Sequence, residues 1–232
     1  MKGKYVDEIS VLGSETRVAI MEALAEGSST PTELAERIGK SLPVVTRHLS
    51  QLQRAGLVER VGERKGKTRP SVEYALRESI LMFKALRGEI DFVHLPATEL
   101  VKTQVRIWSI PQREFHYYVQ RFFWEIQEAI PSIESMAVYG SVAKGDARED
   151  SDVDILVLAR SNVKELERKY GAKVVEKPGG EAKMFMTQVF KPAEFRKSLR
   201  SGSDFARRVM EGLIVIYDPS RFLEDLVVGT LE

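Results

Sequence analysis

Residues 136–160 read MAVYGSVAKGDAREDSDVDILVLAR. Met136 to Tyr139 form a short apolar run that Gly140-Ser141 stops, and a polar insert containing Gly145 follows. Asp152-Val153-Asp154 then leads into a second apolar run, Ile155 to Leu158. The pattern predicts two strands flanking a polar loop. Side chains alternate between the faces of a strand, so Asp152 and Asp154 fall on the same face. Two neighbouring carboxylates with no Lys between them repel each other unless they share a cation. Hard divalent cations such as Mg²⁺ prefer oxygen donors and are commonly held by one or two carboxylates together with substrate phosphates. Gly140 lets the backbone approach a phosphate closely, and Ser141 adds a hydroxyl and an N–H. This chemistry suits phosphoryl or nucleotidyl transfer. An isolated Asp-x-Asp would be no more than a solvated strand start, and the combination carries the signal.

Strand, Gly-Ser, a loop with Gly145, Ser151-Asp152-Val153-Asp154 and a second strand together resemble the nucleotidyltransferase fold of the DNA polymerase β-like superfamily. The likeness is greatest to its minimal and kanamycin nucleotidyltransferase groups. It extends more loosely from about 110 to 220, where Gly212 to Asp218 looks like a closing strand. The resemblance implies that Gly140, Ser141, Lys144 and Ser151 bind nucleotide. It also implies that Asp152 and Asp154 are both catalytic residues and metal ligands. Lys144 stands where many relatives have Arg, which is not an equivalent phosphate contact. Active relatives add a third carboxylate on a neighbouring strand. The strand expected over 184–190 offers Thr187 or Gln188 there, while Glu176 and Glu181 lie nearby outside a clean strand. Three expectations follow. One is an enzyme using Mg²⁺ (or Mn²⁺) to transfer NMP from a nucleoside triphosphate to an unknown acceptor, a partner protein or small molecule. Another is an inactive domain that only senses nucleotide, and the third is an antitoxin-like protein that modifies or binds a partner.

Upstream, the periodicity is helical. Ser14 opens ETRVAIMEAL, with Val18, Ile20, Met21 and Leu24 apolar, and Gly27-Ser28-Ser29 breaks it. Thr30 or Thr32 caps a second helix, ELAERIG, with Leu34, Ala35 and Ile38 inward and Gly39 at its end. A third helix begins at Ser41-Leu42-Pro43, buries Val44, Val45, Leu49 and Leu52, and ends at Gly56. Thr46, Arg47, Ser50, Gln51 and Arg54 remain on other faces, which is a helix-turn-helix arrangement. Two strands then flank a basic tip, Arg64-Lys65-Gly66-Lys67-Thr68-Arg69. Residues 9–77 resemble a winged helix-turn-helix of the ArsR-like type. That implies double-stranded DNA as partner, with Thr46, Arg47, Ser50 and Gln51 facing base edges and Arg64, Lys65, Lys67 and Arg69 facing phosphates. The metal-sensing members of that family use Cys and His clusters, and this chain has no Cys and three scattered His.

Charge agrees with this division. The chain has 232 residues and a formal net charge of +1, which excludes a uniformly basic nucleic-acid coat. Residues 1–88 nonetheless carry 15 Lys and Arg against 11 Asp and Glu, and 41–70 hold seven bases against two acids. Such a local excess suits a phosphate-facing surface. The absence of Cys excludes a disulfide framework, and there is neither a membrane-length apolar run nor a secretory signal. The expectation is a cytoplasmic α+β protein. Its parts are an N-terminal winged helix-turn-helix (1–88), linker and dimerisation helices (89–110), and a nucleotidyltransferase-fold mixed sheet flanked by helices (111–232). Residues 78–87, ESILMFKALR, read as a further helix, with Leu81, Met82 and Phe83 as candidates for a homodimer seam. Ile90, Phe92 and Leu95 suggest a short strand, and Thr98–Ile110 a helix. In QREFHYYVQRFFWEIQEAI the residues Phe115, Tyr118, Val119, Phe122, Phe123 and Ile126 fall at helical spacing and read as core or interface.

Overall fold

The computed structural model describes residues 11–65 and 70–231. The chain divides into two compact units, Met1–Ala97 and Thr98–Glu232. In the first, α1 (Glu15–Ala25), α2 (Pro31–Ile38) and α3 (Leu42–Arg54) pack around Ile20, Leu24, Leu34, Val45, Leu49 and Leu52. Each fully buried aliphatic side chain of this kind contributes about 1.5–3 kcal/mol. Thr30, rather than Thr32, caps α2. Its hydroxyl accepts from the Glu33 N–H at 3.3 Å and the Glu33 carboxylate accepts from the Thr30 N–H at 2.8 Å. Gly39 ends the helix in the left-handed conformation, φ +65°. Antiparallel strands β1 (Val58–Arg64) and β2 (Ser71–Leu76) form the wing, tied to the α1–α2 turn by a bridge between Ser29 and Tyr74.

The segment expected to be a helix over 78–87 is instead a strand, β3 (Ser79–Leu86), paired antiparallel with β4 (Glu89–Pro96). Leu, Met, Lys and Ala favour a helix locally, but the two-residue Arg87-Gly88 connection closes a hairpin. Gly88 takes φ +84° there. The hairpin sets Ile80 opposite Leu95, Met82 opposite Val93 and Phe83 opposite Phe92. Cross-strand pairing of apolar side chains outweighs the weak helical preference. Leu81, Met82 and Phe83 therefore lie on a strand, not a helical seam. Residues 89–96 belong with the N-terminal unit and not with a helical linker.

In the second unit Thr98 caps α4 (Glu99–Trp108), and a 3₁₀ turn (Arg113–Phe115) precedes α5 (His116–Glu125). The rest runs β5 (Ile133–Tyr139), α6 (Gly140–Lys144), β6 (Val153–Ala159), α7 (Val163–Tyr170), β7 (Ala172–Glu176) and β8 (Ala182–Phe190). It ends with α8 (Pro192–Arg200), α9 (Asp204–Met210), β9 (Ile214–Tyr217) and α10 (Phe222–Leu231). The five strands lie in the order β7-β8-β6-β5-β9, with β6 and β8 parallel and the other neighbours antiparallel. One sheet face (Val153, Ile155, Val157, Phe185, Val189) packs on Tyr118, Val119, Phe122 and Phe123 of α5, Phe122 stacking on Phe185 at 4.7 Å. The aromatic stripe is thus core. The opposite face (Ala137, Leu156, Leu158) packs on Phe195, Ala206, Val209 and Leu223. No helix among the described residues is long and apolar enough to cross a membrane.

Candidate nucleotide site and DNA-facing helix

Tyr139, the last residue of β5, lies directly opposite Asp154 in the β5–β6 pairing. The two side chains therefore share a face at the end of the sheet where α6 begins. The insert expected to be a loop opens with this single helical turn, and Gly145 ends it at φ +82°. Gly140 is required by both backbone and space. Its φ is +73°, and a Cβ there would stand 2.6 Å from Asp154 Oδ2. A side chain at 140 would thus need both a left-handed backbone and a displacement of the Asp154 carboxylate.

Asp152 is exposed just ahead of β6, and Asp154 is half-buried. Burial pushes the Asp154 carboxyl above its ordinary pKa, and the nearby Asp152 charge adds to the shift. The Tyr139 phenol is pushed up to about 12, first by burial and then by Asp154, against an opposing pull from Arg208. Two close carboxylates whose charges oppose each other form a donor set that fits a hard cation shared with a phosphate. A metal centre built from protein groups alone does not fit, because no cluster of three or more His, Cys, Asp or Glu is present among the described residues.

The third-carboxylate position resolves against both sequence candidates. In the parallel β6–β8 register Met186 lies beside Asp154 on the same face. Thr187 points to the opposite face, where it is buried, and Gln188 lies two residues further along the strand. Glu176 does end a strand, opposite Ala182. Ala182 is four residues along β8 from Met186, which puts Glu176 roughly 13 Å away along the strands at 3.3 Å per residue. Glu181 pairs with Lys177 across the β7–β8 turn. Of the remaining residues assigned to nucleotide, Ser141 begins α6. The Ser151 hydroxyl accepts from the Arg148 N–H at 2.8 Å and so shapes the loop before Asp152. Lys144 lays its stem on Gly212, with Cε and Cγ 3.1 Å from where a Cβ would stand. Arg208 belongs to the basic stretch Arg196, Lys197, Arg200, Arg207 and Arg208, which the sequence reads first as a solvated helix face and, as the alternative, as a triphosphate contact.

On α3, Thr46 and Ser50 are exposed, but their hydroxyls donate to the carbonyls of Leu42 (2.8 Å) and Thr46 (3.0 Å). Arg47 is exposed with no ion pair to a described residue. Gln51 is held from below, its Oε1 accepting from Arg17 Nη1 at 2.7 Å with His48 Nδ1 3.2 Å away. His48 is buried at the helix packing edge, and burial lowers its pKa. Arg64 is exposed but pairs with both Glu33 and Glu73, which balance its charge at the protein surface. Lys65 is exposed at the end of β1, and Lys67 and Arg69 lie outside the described residues.

Residues 14–60 match the family model of the bacterial regulatory protein, arsR family, and residues 119–200 match that of a nucleotidyltransferase domain. The chain joins an ArsR-type helix-turn-helix to a nucleotidyltransferase domain. The ArsR-type part is similar to the HTH-type transcriptional regulator KmtR of Mycobacterium tuberculosis, strain ATCC 25618 / H37Rv, at 40% identity over 53 residues. That match covers 23% of this chain and 41% of KmtR, so less than half of the relative is represented. Among solved structures, the repressor BigR from Xylella fastidiosa is 26% identical, with 32% of this chain and 70% of that one covered and a TM-score of 0.27. HlyU from Vibrio cholerae N16961 is 29% identical, with 31% and 73% covered and a TM-score of 0.26. The nucleotidyltransferase domain supplies the mixed sheet that carries Asp152 and Asp154.

Proposed function

We propose that this chain is a transcription regulator that binds double-stranded DNA as a homodimer. Its C-terminal domain would hold a nucleoside triphosphate with Mg²⁺ (or Mn²⁺). The observation that carries the nucleotide reading is the pairing of Asp152 and Asp154 beside a Gly140 backbone that admits no side chain. A bound cation would relieve the repulsion between the two carboxylates and neutralise phosphate charge. Gly140 has no side chain to keep a phosphate from its backbone, and Ser141 would offer a hydroxyl beside it. DNA would meet the exposed face of α3, where Arg47 offers an unpaired guanidinium suited to a base edge or a phosphate. Two-fold DNA sites are read by two-fold proteins. The β3–β4 hairpin supports a second copy as partner, since none of its 16 residues is buried and Phe83, Leu86 and Ile90 are exposed.

Met186 beside Asp154 favours binding without turnover, because the face then lacks a third acid for a two-cation site. A second reading, NMP transfer, draws on the same two carboxylates, Asp152 and Asp154, which would hold the cation against the triphosphate. There the oxygen of an acceptor hydroxyl would bond to the α-phosphorus, its proton passing to solvent, while the bond to pyrophosphate breaks and pyrophosphate leaves. The test is calorimetric binding of each NTP with Mg²⁺, alongside pyrophosphate release, for wild type and Asp152→Asn/Asp154→Asn. Cation-dependent binding lost in the double variant, without pyrophosphate, supports the sensor. Pyrophosphate release that needs both acids supports the transferase. Absence of both binding and release overturns the nucleotide reading.

A further inference from the structure

The helix α9 lies alongside the site from end to end. Phe205, in its first turn, meets Tyr139 edge-on with ring centroids 6.0 Å apart. Just past its other end, Gly212 is covered by the Lys144 stem. Tyr139 and Lys144 bracket α6, so α9 runs beside the Gly140–Lys144 turn. Arg208, three residues after Phe205, lies on the same side of α9 as Phe205, between the two contacts.

Its surroundings leave that guanidinium available. Arg208 Nε donates to the Asp204 carbonyl at 3.4 Å, and no ion pair to a described residue engages it. The adjacent Arg207, by contrast, pairs with Asp204. Arg208 borders an open cleft of about 430 Å³ with Asp204, Arg207 and Glu211. It forms no ion pair with Asp152 or Asp154, and Phe205, one turn before it, touches Tyr139, which stands opposite Asp154, so α9 lies at the carboxylates' end of the sheet. A polyphosphate carrying a divalent cation matches this arrangement of charges, with its cation toward the carboxylates and its terminal oxygens toward the guanidinium.

We propose that Arg208 is the polyphosphate-binding residue of this site, selecting nucleoside triphosphates over monophosphates and nucleosides. The proposal rests on the nucleotide reading above and assigns it a residue outside the Gly-Ser and Asp-x-Asp segments.

The test compares wild type, Arg208→Gln, Arg207→Gln and Asp152→Asn/Asp154→Asn in calorimetric titrations with Mg²⁺ and one of three probes: ATP, AMP or inorganic tripolyphosphate. Arg208→Gln is expected to weaken ATP and tripolyphosphate about tenfold or more, as loss of a charge-assisted contact does. AMP should change by less than about twofold, and Arg207→Gln should behave as wild type. Equal loss for AMP and ATP, or no loss in Arg208→Gln, overturns the assignment. If the Asp double variant loses ATP while Arg208→Gln does not, the nucleotide reading stands and only the assignment of Arg208 falls. Wild type that binds neither ATP nor tripolyphosphate removes both.

Discussion

Asp154 carries a pH signature with a definite sign. Its folded pKa is raised, chiefly by burial and next by Asp152. The folded state therefore holds this proton more tightly than the unfolded state, and the charged carboxylate costs stability. Stability should fall as pH rises from the ordinary carboxylate pKa through the raised one, and the cost persists above it. Asp154→Asn is thus expected to raise Tm at pH 7 and leave it unchanged at pH 3, while abolishing cation-dependent nucleotide binding. A thermal scan at both pH values, paired with calorimetry, checks this. Gly140→Ala should act in the opposite direction. A left-handed Ala costs about 1–2 kcal/mol, and its Cβ would force Asp154 Oδ2 aside from 2.6 Å. Lower urea stability together with lost nucleotide binding is the expected result, and unchanged binding would deny that the carboxylate is held by that contact.

At the scale of elements, the N-terminal unit depends on its caps and its wing root. The reciprocal Thr30–Glu33 bonds hold the start of α2, and Thr30→Ala should cost about 1 kcal/mol in urea unfolding. Arg64 joins α2 to both wing strands through Glu33 and Glu73. Both of those carboxyls lie below their ordinary pKa, Glu33 through its bonds with Thr30 first and Glu73 through the Ser28 hydroxyl first. Arg64 should consequently behave as a positioning residue. Arg47→Ala is expected to weaken DNA binding and reduce the salt slope of log K by roughly one. Arg64→Ala should leave that slope nearly unchanged, and an equal drop in the slope for both would return Arg64 to the phosphate contacts. The β3–β4 hairpin pairs Phe83 with Phe92 at 5.0 Å and buries neither ring. Phe83→Ser with Ile90→Ser should shift the chain toward monomer in sedimentation equilibrium if this hairpin joins two copies.

At the scale of the molecule, each unit owns its core. The N-terminal cluster centres on Leu34, Leu49 and Leu52, and the C-terminal sheet is covered by helices on both faces. Leu49→Ala, at 1% exposure, should cost 2–5 kcal/mol, as buried Leu truncations do. The loss belongs to the N-terminal unit. DNA affinity should therefore fail at lower urea than nucleotide affinity, and simultaneous failure of both would contradict independent cores.

Much of this was legible in residue order alone. Caps, glycine stops and apolar periodicity located the three N-terminal helices, because these signals act within a turn or two of chain. Alternation likewise predicted Asp152 and Asp154 on one face; in the structure Asp152 precedes β6, close enough for its charge to act on Asp154. Other features depended on partners distant in sequence. ESILMFKALR became a strand because the turn at Arg87-Gly88 brought Phe92, Val93 and Leu95 opposite it, and local propensity differs too little to resist that pairing. Met186, not Thr187 or Gln188, stands beside Asp154 because the parallel β6–β8 register sets which residue aligns, and a strand's own pattern carries no register. Residue type suggested phosphate contacts for both Arg64 and Arg208, and only folding gave Arg64 two carboxylates while leaving Arg208 without an ion pair to a described residue. The sequence by itself determined which residue types stand together within each unit, since that rests on short spacing. The tertiary structure alone decided which charges meet, since an electrostatic partner is defined by distance in space.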